Sequence, residues 1–148
     1  MSDQTNALPP RLSEIVEDFK FSEGREKLEL LLEFSDSMPP LPERLHGQRD
    51  AMEPVHECMS PVFIHAEMEG EGMIYYFDVP EEAPTVRGYA SVLSQALHGL
   101  TPEQVLALPT TFFEDMGLQK VLSPQRLNGI TALLAHVKRL AVREMSSN

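Results

Sequence analysis

The apolar residues of this 148-residue chain change their spacing twice along the sequence. Up to about residue 40 they recur at helical spacing, between residues 62 and 79 they follow a strand pattern, and after Pro84 the helical spacing returns. The sequence therefore predicts an α+β fold. We expect a small antiparallel sheet built around one hairpin, packed against two N-terminal helices and several C-terminal helices, including a long last helix.

The N-terminal third of the sequence predicts two helices. We expect residues 1–8 to form a flexible N-terminus and residues 9–145 to form a single domain. The break between the two helices is predicted near Ser22–Gly24, and Met38–Pro42 ends the second helix because proline cannot continue it. The apolar faces of the two helices comprise Leu12, Ile15, Val16 and Phe19, then Leu28, Leu31 and Leu32.

The middle of the sequence predicts an antiparallel hairpin. Residues 62–68 alternate between two faces, residues 69–72 contain the turn glycines, and residues 73–79 are rich in aromatic and β-branched residues. Residues between the second helix and about Val55 are expected to be irregular.

The remaining sequence predicts helices with well-marked ends. Gly99 is placed as a helix stop, and Thr101–Gln104 forms a capping box that opens a short helix. Ser123-Pro124 opens the longest helix. Gly88 falls inside a predicted helix, where close packing against the hairpin is the expected reason for a glycine. The apolar seam of the last helix comprises Leu127, Ile130, Leu134, Val137 and Ala141.

Composition narrows the classes of function. With 23 acidic against 12 basic residues, the net charge of −11 repels phosphate backbones and anionic lipids, which argues against nucleic acid or membrane partners. A single cysteine excludes an intramolecular disulfide, and with no signal-like segment or long apolar run we expect a cytoplasmic protein.

No phosphate-binding loop is present, and the histidines lack metal-site spacing, so no cofactor or metal is expected. The histidines, read as surface or strand residues, are His46, His56, His65, His98 and His136.

Cys58 is the only thiol of the chain. It follows His56 and Glu57 and precedes Ser60 and an apolar run, which is typical of a loop tip entering a strand, where a thiol is accessible. A buried cysteine acting as a small hydrophobe is the alternative. A cysteine hydrolase with a histidine base is a further alternative, although no hydrolase signature surrounds Cys58.

Several separated segments, in this order, resemble the SufE family of sulfur-acceptor proteins. These segments are Val55-x-x-Cys58-x-Ser60-x-Val62, the hairpin, Val86-Arg87-Gly88, Gly99-Leu100-Thr101-Pro102, Phe113-Glu114-x-x-Gly117-Leu118 and Leu122-Ser123-Pro124-x-Arg126-x-Asn128-Gly129. The resemblance implies a protein that takes persulfide sulfur from a SufS-type cysteine desulfurase, stimulates its turnover and relays the sulfur to iron–sulfur scaffold proteins. The pyridoxal phosphate in such a pair belongs to the desulfurase.

The resemblance also implies roles for individual residues. Cys58 matches the acceptor cysteine, and Arg126 and Glu114 match a charged pair near the sulfur site. We expect Arg126, in the first turn of the last helix, to lower the pKa of the thiol or to hold a persulfide anion. The alternative is that Arg126 and Glu114 form a structural ion pair. Glu82, on the connector before a helix, is expected to help close the cysteine loop.

The residues around Cys58 depart from the family pattern. Glu57 replaces a glycine, Met59 replaces a polar residue, and Phe63 stands where tryptophan is common. A carboxylate beside the thiol raises the pKa of the thiol, so an interaction module that regulates a desulfurase without relaying sulfur stays open as the alternative function. We expect Glu57, Met59 and Ser60 to bind the partner or support the loop. The loop itself is expected to pack inward against Phe63 and Met59 and to swing out on the partner.

Overall fold

The computed structural model describes residues 8–146 of the chain. Within these residues, helices surround an antiparallel sheet of three strands in the order β1-β2-β3, which confirms the predicted α+β fold. The predicted flexible segment lies outside the described residues except for Leu8, which is buried in the core. The helices are α1 (Pro10–Lys20), α2 (Arg25–Asp36), α3 (Pro84–Leu97), α4 (Pro102–Leu106), α5 (Phe112–Asp115) and α6 (Pro124–Ser146), and the strands are β1 (Glu53–Pro54), β2 (Phe63–Glu69) and β3 (Gly72–Asp78).

The predicted hairpin forms the centre of the sheet. β2 and β3 pair in antiparallel register from Phe63 opposite Asp78 to Glu69 opposite Gly72. Ile64 and Ala66 are buried while their neighbours along β2 are half-buried, so the alternation seen in the sequence reflects the two faces of the sheet. The expectation of an irregular stretch up to Val55 is wrong for β1, because Glu53 pairs with Ile64 and Pro54 pairs with Phe63.

The two N-terminal helices form as predicted, and α3 lies against α2 at Gly88. A Cβ atom at Gly88 would lie 2.2 Å from the carbonyl oxygen of Leu31. The reason for the glycine is therefore close packing, as predicted, but the neighbour is the backbone of α2 and not the hairpin. α3 contacts the hairpin elsewhere, where the Ser94 hydroxyl donates to the carbonyl of Tyr75 over 3.2 Å.

The side of β3 that faces away from β2 is covered by the chain in and after α3. The N–H of Gly99 donates to the carbonyl of Met73 over 2.8 Å, and the N–H of Met73 donates to the carbonyl of Leu100 over 2.7 Å. Further along the same side, Arg87 donates to the carbonyl of Val79 over 2.6 Å. Gly99 has a φ of 88°, which glycine adopts readily, so it acts as the helix stop that the sequence predicts.

The long last helix packs its apolar seam onto the sheet. α6 spans 23 residues and buries Ile130, Leu134, Val137 and Ala141, as predicted. The hydroxyl of Tyr75, in β3, donates to the carbonyl of Val137 over 2.9 Å and so ties the middle of α6 to the hairpin. The capping box at the start of α4 is also confirmed by its two reciprocal hydrogen bonds. The Tyr75 hydrogen bond and the buried seam together fix α6 against the hairpin.

We predict that Gly88→Ala destabilises the fold. In an exposed helix this change adds about 1 kcal/mol of stability, but here the new methyl group meets the backbone of Leu31, which cannot move aside as a side chain can. We expect a net loss of about 1–3 kcal/mol in the free energy of unfolding by urea denaturation. Glu29→Ala, at an exposed position of α2, is the control and should change stability by less than about 0.5 kcal/mol. A Gly88→Ala variant as stable as wild type would refute this account of the contact.

Candidate functional site

Cys58 lies at the tip of a loop that joins β1 to β2, and we call residues 55–62 the cysteine loop. The base of this loop is closed by a hydrogen bond of 2.9 Å from the N–H of Val55 to the carbonyl of Val62. Within the loop, the N–H of Cys58 donates to the carbonyl of Val55 over 3.2 Å. The tip is thus held by few backbone hydrogen bonds, as a segment that changes position requires.

The thiol of Cys58 faces α6. Its Sγ atom lies 3.8 Å from the carbonyl oxygen of Gly129, and a Cβ atom at Gly129 would lie only 3.3 Å from Sγ. A glycine on α6 therefore lets the thiol approach the helix backbone. Met59 points outward and is 79% exposed, so the expectation that the loop packs inward against Met59 is wrong. The inward packing of Cys58 is onto Gly129.

Two cavities meet at the cysteine loop, and Cys58, Met59 and Ser60 line both of them. The smaller cavity, of about 200 Å³, lies between the loop, the start of α3 and the start of α6. The larger is an open groove of about 660 Å³ that continues towards β1 and reaches Phe63. In that groove, the guanidinium of Arg49 lies over the Phe63 ring, 4.8 Å from its centre.

The structure brings some of the predicted site residues together and separates others. Glu82 and Arg126 line the smaller cavity together with Cys58, and the backbone N–H of Arg126 donates to the Ser123 hydroxyl over 3.3 Å. Glu114 is exposed on α5 and does not line either cavity. Among the described residues, no ion pair within 4.0 Å joins Arg126 to Glu114, so the alternative of a structural pair does not apply in this conformation.

The surroundings of Cys58 hold the thiol in its protonated form. Burial, and to a smaller extent the negative charge of Glu57, raises the pKa of Cys58 from its ordinary value of 9.0 to about 11. The predicted effect of Glu57 is thus confirmed. The expected lowering of the pKa by Arg126 is wrong for this conformation, since desolvation of the thiolate dominates.

The sequence reasoning missed a cluster of charged side chains behind the cysteine loop. His136, on α6, lies between two carboxylates: Nδ1 is 2.6 Å from Oε2 of Glu53 and Nε2 is 3.1 Å from Oε1 of Glu57. Arg139 adds a second cation, with Nε 3.6 Å from Oε2 of Glu53. A hydrogen bond from its own backbone N–H, followed by that from His136, lowers the pKa of Glu57, so this carboxylate is ionised at neutral pH. No local pattern in the sequence signals these contacts, because His136 is 79 residues from Glu57.

The sequence model of a known family, described as "SufE: Fe-S metabolism associated domain", matches residues 13–141. The chain belongs to the SufE family. Its similarity extends to an uncharacterized SufE-like protein of Mycobacterium tuberculosis, 43% identical over 90% of this chain and 92% of the relative. An uncharacterized SufE-like protein of Synechocystis is 33% identical over 91% of this chain and 82% of its own length.

A solved structure shares this fold. The solution structure of a hypothetical protein from Thermus thermophilus superposes with a TM-score of 0.81 at 36% sequence identity. The match covers 94% of this chain and 98% of the Thermus chain. The order of short motifs in the sequence is therefore sufficient to identify a SufE protein, and the family description places the chain in Fe–S metabolism.

Two further features of residues 8–146 bear on the class of site in this SufE protein. In this range no group of three or more histidine, cysteine, aspartate or glutamate side chains is arranged to hold a metal ion. None of the helices in the same range is both long enough and apolar enough to cross a bilayer.

We predict that Cys58 of the free protein reacts slowly with iodoacetamide near neutral pH. A pKa of about 11 leaves about a hundredfold less thiolate than a pKa of 9.0 does. Since Cys58 is the only cysteine, the rate of mass gain reports this thiol alone, and the same protein in urea provides the control. We expect native alkylation to be about a hundredfold slower than in urea.

The pH dependence has a defined sign. The folded pKa lies above the ordinary value, so protonation stabilises the retracted loop fully below pH 9.0, and this stabilisation is lost as the pH rises through about 11. Equal alkylation rates in native and unfolded protein would contradict the retracted, protonated thiol.

Proposed function

We propose that this SufE protein accepts sulfur on Cys58 from the persulfide of a SufS-type cysteine desulfurase, stimulates the turnover of that enzyme, and relays the sulfur to iron–sulfur scaffold proteins. The observation that carries the proposal is the position of the single thiol at the tip of a weakly held loop, between two cavities. Membership in a family described by Fe–S metabolism supports it. We place the protein in the cytoplasm as part of the proposal, because a free acceptor thiol stays reduced in that compartment.

The transfer balances without any further reactant. The thiolate of Cys58 attacks the terminal sulfur of the desulfurase persulfide, the S–S bond of that persulfide breaks, and a new S–S bond forms on Cys58. The desulfurase cysteine leaves as a thiolate and takes up the proton that Cys58 has lost. No net oxidation or reduction occurs. With only one thiol, the acceptor cannot discharge its persulfide as an intramolecular disulfide.

The retracted loop has to open before this chemistry. In the described conformation the Cys58 thiol is half-buried against Gly129 and protonated at neutral pH, so it is a poor nucleophile. Moving the tip into a partner's active site takes the thiol away from α6. The thiol then loses both its burial against the helix and its contact with the carbonyl of Gly129. The exposed side chain of Met59, at the same tip, is an apolar group available to contact that partner first.

The alternative function is an interaction module that regulates a desulfurase without carrying sulfur. The specific observation in its favour is the raised pKa of Cys58, to which the unusual Glu57 contributes. A cysteine hydrolase has less support, because no imidazole nitrogen among residues 8–146 lies within hydrogen-bond distance of the Cys58 sulfur.

We predict that incubation with the desulfurase and free cysteine adds one sulfur atom to the protein. Intact-mass analysis should show a gain that a reductant removes and that Cys58→Ser lacks. Wild-type protein that stays unmodified beside its desulfurase would count against the relay. Stimulation of the desulfurase distinguishes the relay from the regulatory module. If Cys58→Ala stimulates the desulfurase as well as wild type does, the protein acts as a regulatory module.

We predict that Arg126→Gln slows sulfur acceptance. Arg126 lines the smaller cavity beside Cys58, where its charge can attract the anionic persulfide, and loss of one such charge typically costs about tenfold in rate. The measurement is the single-turnover rate of sulfur transfer from preloaded desulfurase. The controls are Arg25→Gln, on the distant start of α2, and Glu114→Gln, which lines neither cavity. An Arg126→Gln rate equal to that of both controls would rule out this role.

A further inference from the structure

His136 makes contacts that link the cysteine loop to the long last helix. Both of its ring nitrogens face carboxylate oxygens, Glu53 at 2.6 Å and Glu57 at 3.1 Å. From its place on α6, the ring therefore bridges Glu53 of β1 and Glu57 of the cysteine loop.

The two carboxylates are not held equally. The Glu53 contact is shorter, both of its side chains are only 14% exposed, and Arg139 also faces Glu53 at 3.6 Å. Glu57 is 47% exposed and belongs to the weakly held cysteine loop. The better-held Glu53 therefore fixes the ring, and the ring in turn holds Glu57.

Glu57 directly precedes Cys58 in the chain. We propose that His136 is a positioning residue for Cys58: held by Glu53, its ring fixes Glu57 and thereby keeps the thiol retracted against Gly129. This inference deepens the proposed function, because it concerns the access of a partner to the proposed acceptor thiol. It also gives Glu57, a departure from the family pattern, a structural partner.

The alkylation rate of Cys58 tests the proposal without any desulfurase. His136→Asn keeps an amide where Nδ1 contacts Glu53 and removes the group that reaches Glu57. His98→Asn, at an exposed histidine after α3 that lines neither cavity at Cys58, is the matched control. His136→Gln, whose longer side chain places an amide where Nε2 contacts Glu57, is the conservative variant. All rates are compared with wild type at the same neutral pH.

We expect His136→Asn to react about two- to tenfold faster than wild type, and His136→Gln to return towards the wild-type rate because it keeps the contact to Glu57. The His98→Asn control should match wild type. A His136→Asn rate equal to that of wild type would overturn the role of His136. Equal acceleration in both His136 variants would overturn the role of its contact with Glu57.

Amide exchange in Glu57→Ala provides a second measurement if His136→Asn folds poorly, because this change removes the same contact at an exposed position. The N–H of Cys58 is bonded to Val55 within the loop, and its protection against hydrogen exchange should be lower in Glu57→Ala than in wild type. The amide of Ile64, within the sheet, is the reference. Unchanged protection of Cys58 would refute the proposal. If the alkylation and exchange results are as expected but no sulfur is transferred from the desulfurase, the role of His136 stands and only the sulfur relay is rejected.

Discussion

The packing of α6 against the sheet fixes the groups of this helix that lie beside the cysteine loop. The hydroxyl of Tyr75 bonds the middle of this helix to β3, and its apolar seam covers the buried face of the hairpin. From the same helix come Gly129, which receives the thiol, and His136, which contacts Glu57. The cysteine loop thus rests on a rigid support, while its own backbone is held by few hydrogen bonds.

This arrangement separates protection of the sulfur from its reactivity. Burial against α6 outweighs any attraction from Arg126, so the pKa of Cys58 rises and the free protein holds an inert thiol. Under the proposed function, reactivity appears only when a partner has drawn the loop away from the helix. The cost of that movement is small for the fold, because Val55 and Val62, at the base of the loop, are its only residues in the buried core.

Much of the fold can be predicted from the sequence because its elements have strong local signals. The hairpin alternates, the start of α4 carries a full capping box, and α6 has a long apolar seam. β1 was missed because it consists of two residues, one of them Pro54, and owes its existence to pairing with β2. The partner of Gly88 was assigned wrongly for the same reason, since the approach of α2 is a tertiary contact that no spacing encodes.

Only part of the candidate site can be predicted from the sequence. Cys58 stands out as the one thiol, and Glu57 stands out against the family pattern. The contact between Glu57 and His136 cannot be read from either residue, because it depends on the register of α6 against β1. The sign of the pKa change at Cys58 also depends on burial, which a list of nearby charges does not provide.

The outer side of β3 is covered by the chain in and after α3. Strand edges with free backbone groups recruit other chains and template cross-β assembly. Here the carbonyl and N–H of Met73 bond to Gly99 and Leu100, and the carbonyls of Tyr75 and, just past the strand, Val79 accept from Ser94 and Arg87. A strand from another molecule cannot pair with these groups, whatever the position of the cysteine loop.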